Sequence, residues 1–214
     1  MRVIRTAGPV VINELLWVLS FTLTFAIYGR ISPVALAVVQ IAMTISDVFQ
    51  SIYFGLGNGC AVVVGKELGR GNRDKAFQYA QKCINITWIL NVVMTSLLIL
   101  SRGFIINIYN FEASTNELIW SALLVYAVAM TPKMFAYLFI CGILRTGGDT
   151  VWATFADAGL NWLVQVPLAW LSVVVWGFDL PVCIAIVAIG DLVKTIACYI
   201  RFYSKKWINV FTGR

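Results

Sequence analysis

The stretch Pro9–Tyr28, PVVINELLWVLSFTLTFAIY, is a run of twenty residues with a single charged side chain, Glu14. An α-helix of about 20 predominantly apolar residues is long enough to cross the hydrocarbon core of a bilayer. Pro9 suits the first turn of a helix, where a backbone N–H is not needed. The stretch therefore predicts a membrane-spanning helix over residues 9–28.

The composition of the whole chain also indicates a membrane protein. Of its 214 residues, 60% are hydrophobic and 12% are charged, and the mean hydropathy is +0.85. Soluble domains average about 45–50% apolar and about 25% charged residues. Because so few charges cannot cover the surface of a soluble protein of this size, membrane lipid is expected to cover the remainder.

Five further stretches have the length and composition of membrane spans. The six predicted helices cover residues 9–28, 33–64, 76–100, 117–144, 152–176 and 181–203. They are continuous apolar runs rather than alternating stretches of about ten residues, so a membrane β-barrel does not fit. We therefore predict an all-α fold, an integral membrane six-helix bundle that forms a single domain over residues 1–214.

The distribution of basic residues predicts how the bundle is oriented. Cytoplasmic loops of membrane proteins carry an excess of Lys and Arg. If the N-terminus is cytoplasmic, only Arg30 and Arg102 fall in outside loops, and Lys133 and Lys194 lie within helices. The other twelve of the 16 basic residues lie inside: Arg2, Arg5, Lys66, Arg70, Arg73, Lys75, Lys82, Arg145, Arg201, Lys205, Lys206 and Arg214. We predict a cytoplasmic-membrane protein with both termini in the cytoplasm, and the scattered charge argues against nucleic-acid binding.

The residue types that most enzyme chemistry needs are missing or scattered. The chain has no histidine, which excludes a Ser-His-Asp triad and most transition-metal sites. Its five cysteines are spread through apolar runs and predict neither a disulfide framework nor a CxxC site. We therefore expect no enzyme, no cofactor and no fixed metal ion.

Six ionisable side chains fall inside the predicted spans. Each costs roughly 2.5–3.5 kcal/mol on insertion scales, so such groups are retained where they pair, face a cavity or have a function. The six are Glu14, Asp47, Lys133, Asp157, Asp191 and Lys194. Because they recur on several helices, with Asn13 beside Glu14, they predict a water-filled cavity in the bundle.

These charges admit more than one interpretation. Glu14 is either a carboxylate that reaches the cytoplasmic interface or a site for a transported proton or Na⁺. Asp191 and Lys194 are three residues apart on one helical face, which favours an internal ion pair. Lys133 has three candidate partners, namely Asp157, Asp47 and Glu14.

Two glycine-containing loops fall on the predicted cytoplasmic side. The first reads GKELGRGNRDKA over residues 65–76, and the second reads CGILRTGGDT over residues 141–150. Neither matches the GxxxxGK[ST] pattern of a phosphate-binding loop, so we predict structural turns. Arg145 suits a helix C-terminus, and Asp149 or Thr150 is a candidate cap for the fifth helix. The residues assigned this structural role are Gly65, Gly69, Gly71, Arg145, Gly147, Gly148 and Asp149.

Four elements resemble, in order and spacing, the multidrug and toxic compound extrusion (MATE) family. GILRTGGDT (142–150) resembles the loop after that family's tenth helix, and VGKELGRG (64–71) resembles the loop after its eighth. Residues 9–17 resemble the start of its seventh helix, including a glutamate, and WLVQVP (162–167) resembles part of its eleventh. By this resemblance, the chain is the C-terminal six-helix lobe of a twelve-helix protein.

The resemblance implies a transport function. MATE members export cationic or amphipathic organic compounds by antiport with Na⁺ or H⁺, through alternating access of two lobes. The implied partners are a small organic cation and either a missing N-terminal lobe or a second copy of this chain. Glu14 takes the place of a cation-coupling carboxylate, and the further transport candidates are Asn13, Asp157, Asp47, Lys133, Asp191 and Lys194. Lys133 departs from the family pattern, since some members carry an aspartate in that helix.

Two rival functions stay open on the sequence. A flippase for lipid-linked saccharides belongs to the same broader superfamily, although more basic charge would then be expected in the cavity. The second rival is that the chain is an inert structural subunit.

Overall fold

The computed structural model describes residues 2–109 and 113–208. It contains six helices long and apolar enough to cross a membrane, which confirms the predicted all-α fold. They are α1 (Arg2–Tyr28), α2 (Pro33–Gly69), α3 (Arg73–Tyr109), α4 (Ala113–Tyr137, continued by a π-helical segment Leu138–Leu144), α5 (Thr150–Val175, which includes the π-helical segments Phe155–Gly159, Asn161–Gln165 and Leu171–Val175) and α6 (Leu180–Tyr203). Of the predicted cytoplasmic basic residues, Arg214 and the side chains of Arg2 and Arg5 lie outside the described part of the chain.

Helix α1 begins at Arg2, so Pro9 lies within it rather than in its first turn as predicted. Helices α2 and α3 are also longer than predicted, with 37 residues each. α2 continues to Gly69 rather than ending at Val64, and α3 begins at Arg73 rather than at Ala76. The intervening Lys, Glu and Leu are good helix formers, so the polar stretch prolongs the helix instead of leaving it. Gly65, predicted in the loop, therefore lies within α2.

The turn that remains between α2 and α3 is organised by one carboxylate. Glu67 accepts hydrogen bonds from Arg70 Nη1 and from Asn72 Nδ2, both at 3.0 Å. The backbone N–H of Asn72 also donates to the Glu67 carbonyl at 2.9 Å. Gly71 has φ +79°, a left-handed conformation that costs glycine little. The predicted structural turn is thus present, shorter than expected and held by hydrogen bonds.

Helix α4 lies at the centre of the bundle. Half of its span Thr115–Leu144 is buried, against 22–33% for the other five spans. It packs against α2, α3 and α6, and Ala122 and Ala127 are fully buried. Small side chains allow helices to approach closely in a membrane, where packing rather than water exclusion drives association.

We expect Gly142→Val to destabilise the contact between α4 and α2. A Cβ atom on Gly142 would lie 3.1 Å from the carbonyl oxygen of Gly57 and 3.5 Å from Cβ of Cys60, so a branched side chain has no room. Overpacking of this kind costs about 1–3 kcal/mol, which thermal unfolding in detergent measures. Gly59→Val is the matched control, because nothing lies within 4 Å of a Cβ placed there. Equal losses in both variants would contradict the close contact.

The turn between α4 and α5 is covered by residues that follow α6. Gly148 has φ +85°, and a Cβ on Gly147 would overlap the ring and carbonyl oxygen of Trp207. Of the two predicted cap candidates, Asp149 is the N-cap residue of α5, but its side chain makes no capping hydrogen bond. Its carboxylate accepts two hydrogen bonds from Arg201 of α6, at 2.7 and 3.2 Å.

Candidate functional site

A cavity of about 490 Å³ lies between α1, α2, α4, α5 and α6. All six charges predicted inside the membrane line it: Glu14, Asp47, Lys133, Asp157, Asp191 and Lys194. Four carboxylates and two ammonium groups give these walls a formal charge of −2. Because uncompensated charge away from water is costly, the cavity favours positively charged occupants.

Aromatic side chains form much of the remaining wall. They are Trp17, Phe21, Tyr28, Phe54, Tyr126 and Tyr137. Trp17 and Phe21 stack along α1 with ring centroids 5.6 Å apart, and Phe54 of α2 meets Tyr137 of α4 edge-on at 4.8 Å. Aromatic faces attract cations through their quadrupole. The cavity therefore combines the two kinds of group that bind organic cations.

Asp157 on α5 is the centre of a polar cluster at one end of the cavity. Its carboxylate accepts a hydrogen bond from Asn13 Nδ2 at 2.9 Å. Arg145 Nη2 lies 3.5 Å from the same oxygen, and Lys194 Nζ lies 3.9 Å from the other. The Asp157 side chain is only 15% exposed, so four helices or helix ends meet at one shielded carboxylate.

Glu14 lies at the edge of this cluster. Its Oε1 atom accepts a hydrogen bond from Arg145 Nη1 at 3.1 Å, yet 56% of the side chain is exposed. Glu14 therefore belongs to the cavity wall and also retains access from outside it. Trp162 of α5 adds a second link to α1, because its Nε1 donates to the carbonyl of Leu16 at 3.0 Å.

The predicted pair on α6 forms. Lys194 Nζ lies 3.2 Å from Asp191, and both side chains are largely buried. Lys194 also faces Asp157, so the ammonium is shared between α6 and α5. Lys194 can therefore pair with either carboxylate when the charge of the other one changes.

Lys133 and Asp47 line the same cavity as the cluster, and Lys133 lies within electrostatic range of both Asp47 and Asp191. Among the described residues, neither forms an ion pair, so none of the three acids considered for Lys133 is its partner at 4.0 Å or less. Asp47 accepts a weak hydrogen bond from Gln50 at 3.3 Å. Next to Lys133, the carbonyl of Pro132 accepts a hydrogen bond from Thr195 of α6 at 2.6 Å. One acid, Asp47, and one base, Lys133, are therefore available to pair with a molecule bound in the cavity.

Two amide oxygens beside the cluster have no hydrogen-bond partner. Asn13 Oδ1 and Asn161 Oδ1 are both buried, one on α1 and the other one turn beyond Asp157 on α5. Amide and carboxylate oxygens are ligands that hard cations prefer. In the described part of the chain, no group of three or more His, Cys, Asp or Glu is placed to hold a metal ion. Both oxygens are therefore available as hydrogen-bond acceptors or as cation ligands.

Arg145 is the member of this cluster that the sequence analysis did not include among the buried charges. It follows the last residue of the fourth helix, as predicted, and its guanidinium also reaches Glu14 and Asp157. The segment just before it, Leu138–Leu144, is π-helical. No apolar periodicity marks that segment, and the contact with Glu14 joins distant parts of the chain, so local sequence carried no signal for it.

Six spanning helices around a charged, aromatic-lined cavity define a multi-pass membrane protein of the transporter class. The family model for MatE matches residues 9–171. The chain belongs to this family, whose members are transporters rather than enzymes.

Similar proteins point the same way. The chain is 27% identical over 167 residues to "Probable multidrug resistance protein NorM" of Xanthomonas campestris pv. campestris, covering 78% of this chain and 36% of that one. Its fold matches a MOP superfamily transporter from Pyrococcus furiosus, described as having a binding pocket of reverse polarity, with TM-score 0.86, 18% identity and coverage of 98% and 46%. An outward-facing multidrug resistance MATE family transporter matches with the same four values. The chain thus spans about half the length of these solved structures.

Proposed function

We propose that this chain forms one lobe of a secondary active transporter that exports organic cations in exchange for Na⁺ or H⁺. The observation that carries the proposal is the cavity of about 490 Å³ whose six lining charges sum to −2, and to −1 when Arg145, which pairs with Glu14 and Asp157, is included. An acidic cavity of this size lowers the free energy of a small organic cation and raises that of an anion. This polarity is the opposite of what a flippase for anionic lipid-linked saccharides needs.

The substrate is proposed to bind in the half of the cavity that holds Asp47. This carboxylate has no cationic partner among the described residues, and Tyr126 and Phe54 line the same wall. An amine or quaternary ammonium can therefore pair with Asp47 while its apolar part lies against aromatic rings.

The coupling cation is proposed to bind at the Asp157 cluster. When ionised, the cluster contains three carboxylates and two cations: Glu14, Asp157, Asp191, Arg145 and Lys194. Its formal charge is therefore −1, so the cluster attracts one proton or one Na⁺. The unpaired oxygens of Asn13 and Asn161 supply ligands for Na⁺.

Transport also needs a second lobe. Alternating access requires two bundles that move against each other around one site. The chain supplies six spans, so the second set comes from an N-terminal lobe or from another copy. We place the protein in the cytoplasmic membrane with both ends in the cytoplasm. Ion-driven efflux by liposomes that contain this chain alone would identify the partner as a second copy.

The substrate polarity is tested by a matched pair of ions that differ in the sign of their charge. Tetraphenylphosphonium and tetraphenylborate have nearly the same size and shape. We expect the purified chain in detergent to bind the cation and to release it when Na⁺ or acid is added, measured by equilibrium dialysis. Preferential binding of the borate would contradict the proposal and would favour a flippase of anionic substrates.

A further inference from the structure

Arg145 makes an incomplete bridge between α1 and α5. Its Nη1 donates to Glu14 at 3.1 Å, and its Nη2 lies 3.5 Å from Asp157. The guanidinium is mostly shielded, with 18% of the side chain exposed, yet buried Nη2 makes no hydrogen bond. A shielded donor without a hydrogen bond destabilises the arrangement that contains it.

Another arginine pair at the same end of the bundle shows what a completed bridge looks like. Arg201 donates from Nε and Nη2 to the two oxygens of Asp149, at 2.7 and 3.2 Å. Its guanidinium also lies 5.1 Å from the centroid of the Trp152 ring. Such bidentate geometry is the strong form of an arginine–carboxylate pair. Arg145 instead divides its nitrogens between two acids on different helices.

We propose that Arg145 is a tethered counter-ion, which neutralises Glu14 and Asp157 until the coupling cation arrives and displaces it. This inference rests on the proposed function, because it concerns the same cation site. The exchange keeps the formal charge of the cluster at −1, since one positive charge replaces another. A charge-neutral exchange avoids the large cost of leaving a carboxylate uncompensated away from water.

The surroundings of Arg145 limit what moves. Its loop is fixed by the pair between Asp149 and Arg201 and by the cover of Trp207 over Gly147. The displaced group is therefore the side chain rather than the loop. Once it leaves, α1 loses one of its polar links to α5, while the hydrogen bond from Trp162 to the carbonyl of Leu16 remains.

The titratable groups around Arg145 come from four helices. Glu14 and Asp157 contact it directly, and Lys194 and Asp191 of α6 lie one contact further away. Tyr137 and Cys141 precede it on its own helix. Removing the positive charge of Arg145 raises the affinity of both carboxylates for Na⁺ and for protons alike, so the sign of the expected effect is the same for either coupling ion.

The test measures cation-dependent stability of the purified chain. Thermal unfolding in detergent is followed while NaCl replaces choline chloride at constant ionic strength, and separately along a pH series, because a ligand of the folded state raises its unfolding temperature. In Arg145→Gln we expect the half-saturating concentration of Na⁺ or of protons to fall about tenfold. Arg145→Lys keeps the positive charge but can pair with only one acid. It takes the place of Arg145→Gln if the glutamine variant does not fold, and we expect a smaller fall in the half-saturating concentration.

The matched control is Arg70→Gln, which removes the arginine pair with Glu67 at the turn between α2 and α3 without touching Glu14, Asp157 or the loop that carries Arg145. We expect it to leave the half-saturating concentration unchanged. A cation response that is identical in wild type and in both Arg145 variants would overturn the tethered counter-ion and leave the proposed function standing. No response to Na⁺ or to acid in any variant would overturn both.

Discussion

Replacing Glu14 by glutamine is expected to abolish gradient-driven export of a cationic dye. The substitution changes the formal charge of the Asp157 cluster from −1 to zero, so the cluster no longer attracts one coupling cation. The side chain is 56% exposed and makes one hydrogen bond to Arg145 beyond its own helix, so the fold and the membrane insertion are expected to survive. Dye efflux from membrane vesicles of the producing cells, driven by a Na⁺ or a pH gradient, measures the effect.

The control for this variant is Glu117→Gln, the same chemical change at an exposed position on α4 away from the cavity. It is expected to export dye at the wild-type rate. Export that continues unchanged in Glu14→Gln would remove Glu14 from ion coupling and leave Asp157 as the acid to test.

Trp207→Ala is expected to cause the largest loss of stability among single substitutions outside the cavity. The side chain is fully buried, its ring stacks on Phe202 with centroids 5.8 Å apart, and its Nε1 donates to the Phe202 carbonyl at 3.0 Å. Removing a buried tryptophan typically costs about 3–5 kcal/mol, because the cavity that remains collapses only partly. Unfolding in detergent at increasing temperature measures the loss.

Trp176→Ala provides the comparison, since 48% of that side chain is exposed at the end of α5. Its unfolding temperature is expected to stay close to that of the wild type. If both tryptophan variants unfold at the same temperature, Trp207 does not hold the turn between α4 and α5.

The six helices could be predicted because the signal is physical and local. A span needs a fixed length of apolar residues, and the cost of a charge in lipid makes each exception conspicuous. For the same reason the sequence indicated all six charges of the cavity, and in the structure all six side chains line it. The pair between Asp191 and Lys194 followed from helical spacing alone.

The features that were missed depend on packing between distant parts of the chain. Arg145 reaches Glu14, 131 residues away in sequence. Trp207 covers Gly147 because the chain folds back after α6, and the side chain of Asp149 bonds to Arg201 rather than to the first turn of its own helix. The partner of Lys133 was sought among three acids, and none of them is within ion-pair distance. Local sequence carries no information on such contacts.

The length of α2 and α3 has a mechanical consequence. A helix of 37 residues is about 55 Å long, whereas the hydrocarbon core is about 30 Å thick, so the pair projects well beyond the lipid. The tight turn at Glu67–Asn72 joins the two helices, so that they move as one stiff unit. If the bundle rocks by about ten degrees, the tip of a rod of this length sweeps about 10 Å. A pair of distance probes, one at this tip, would therefore read out rocking of the lobe as a large displacement, even where the cavity itself barely changes shape.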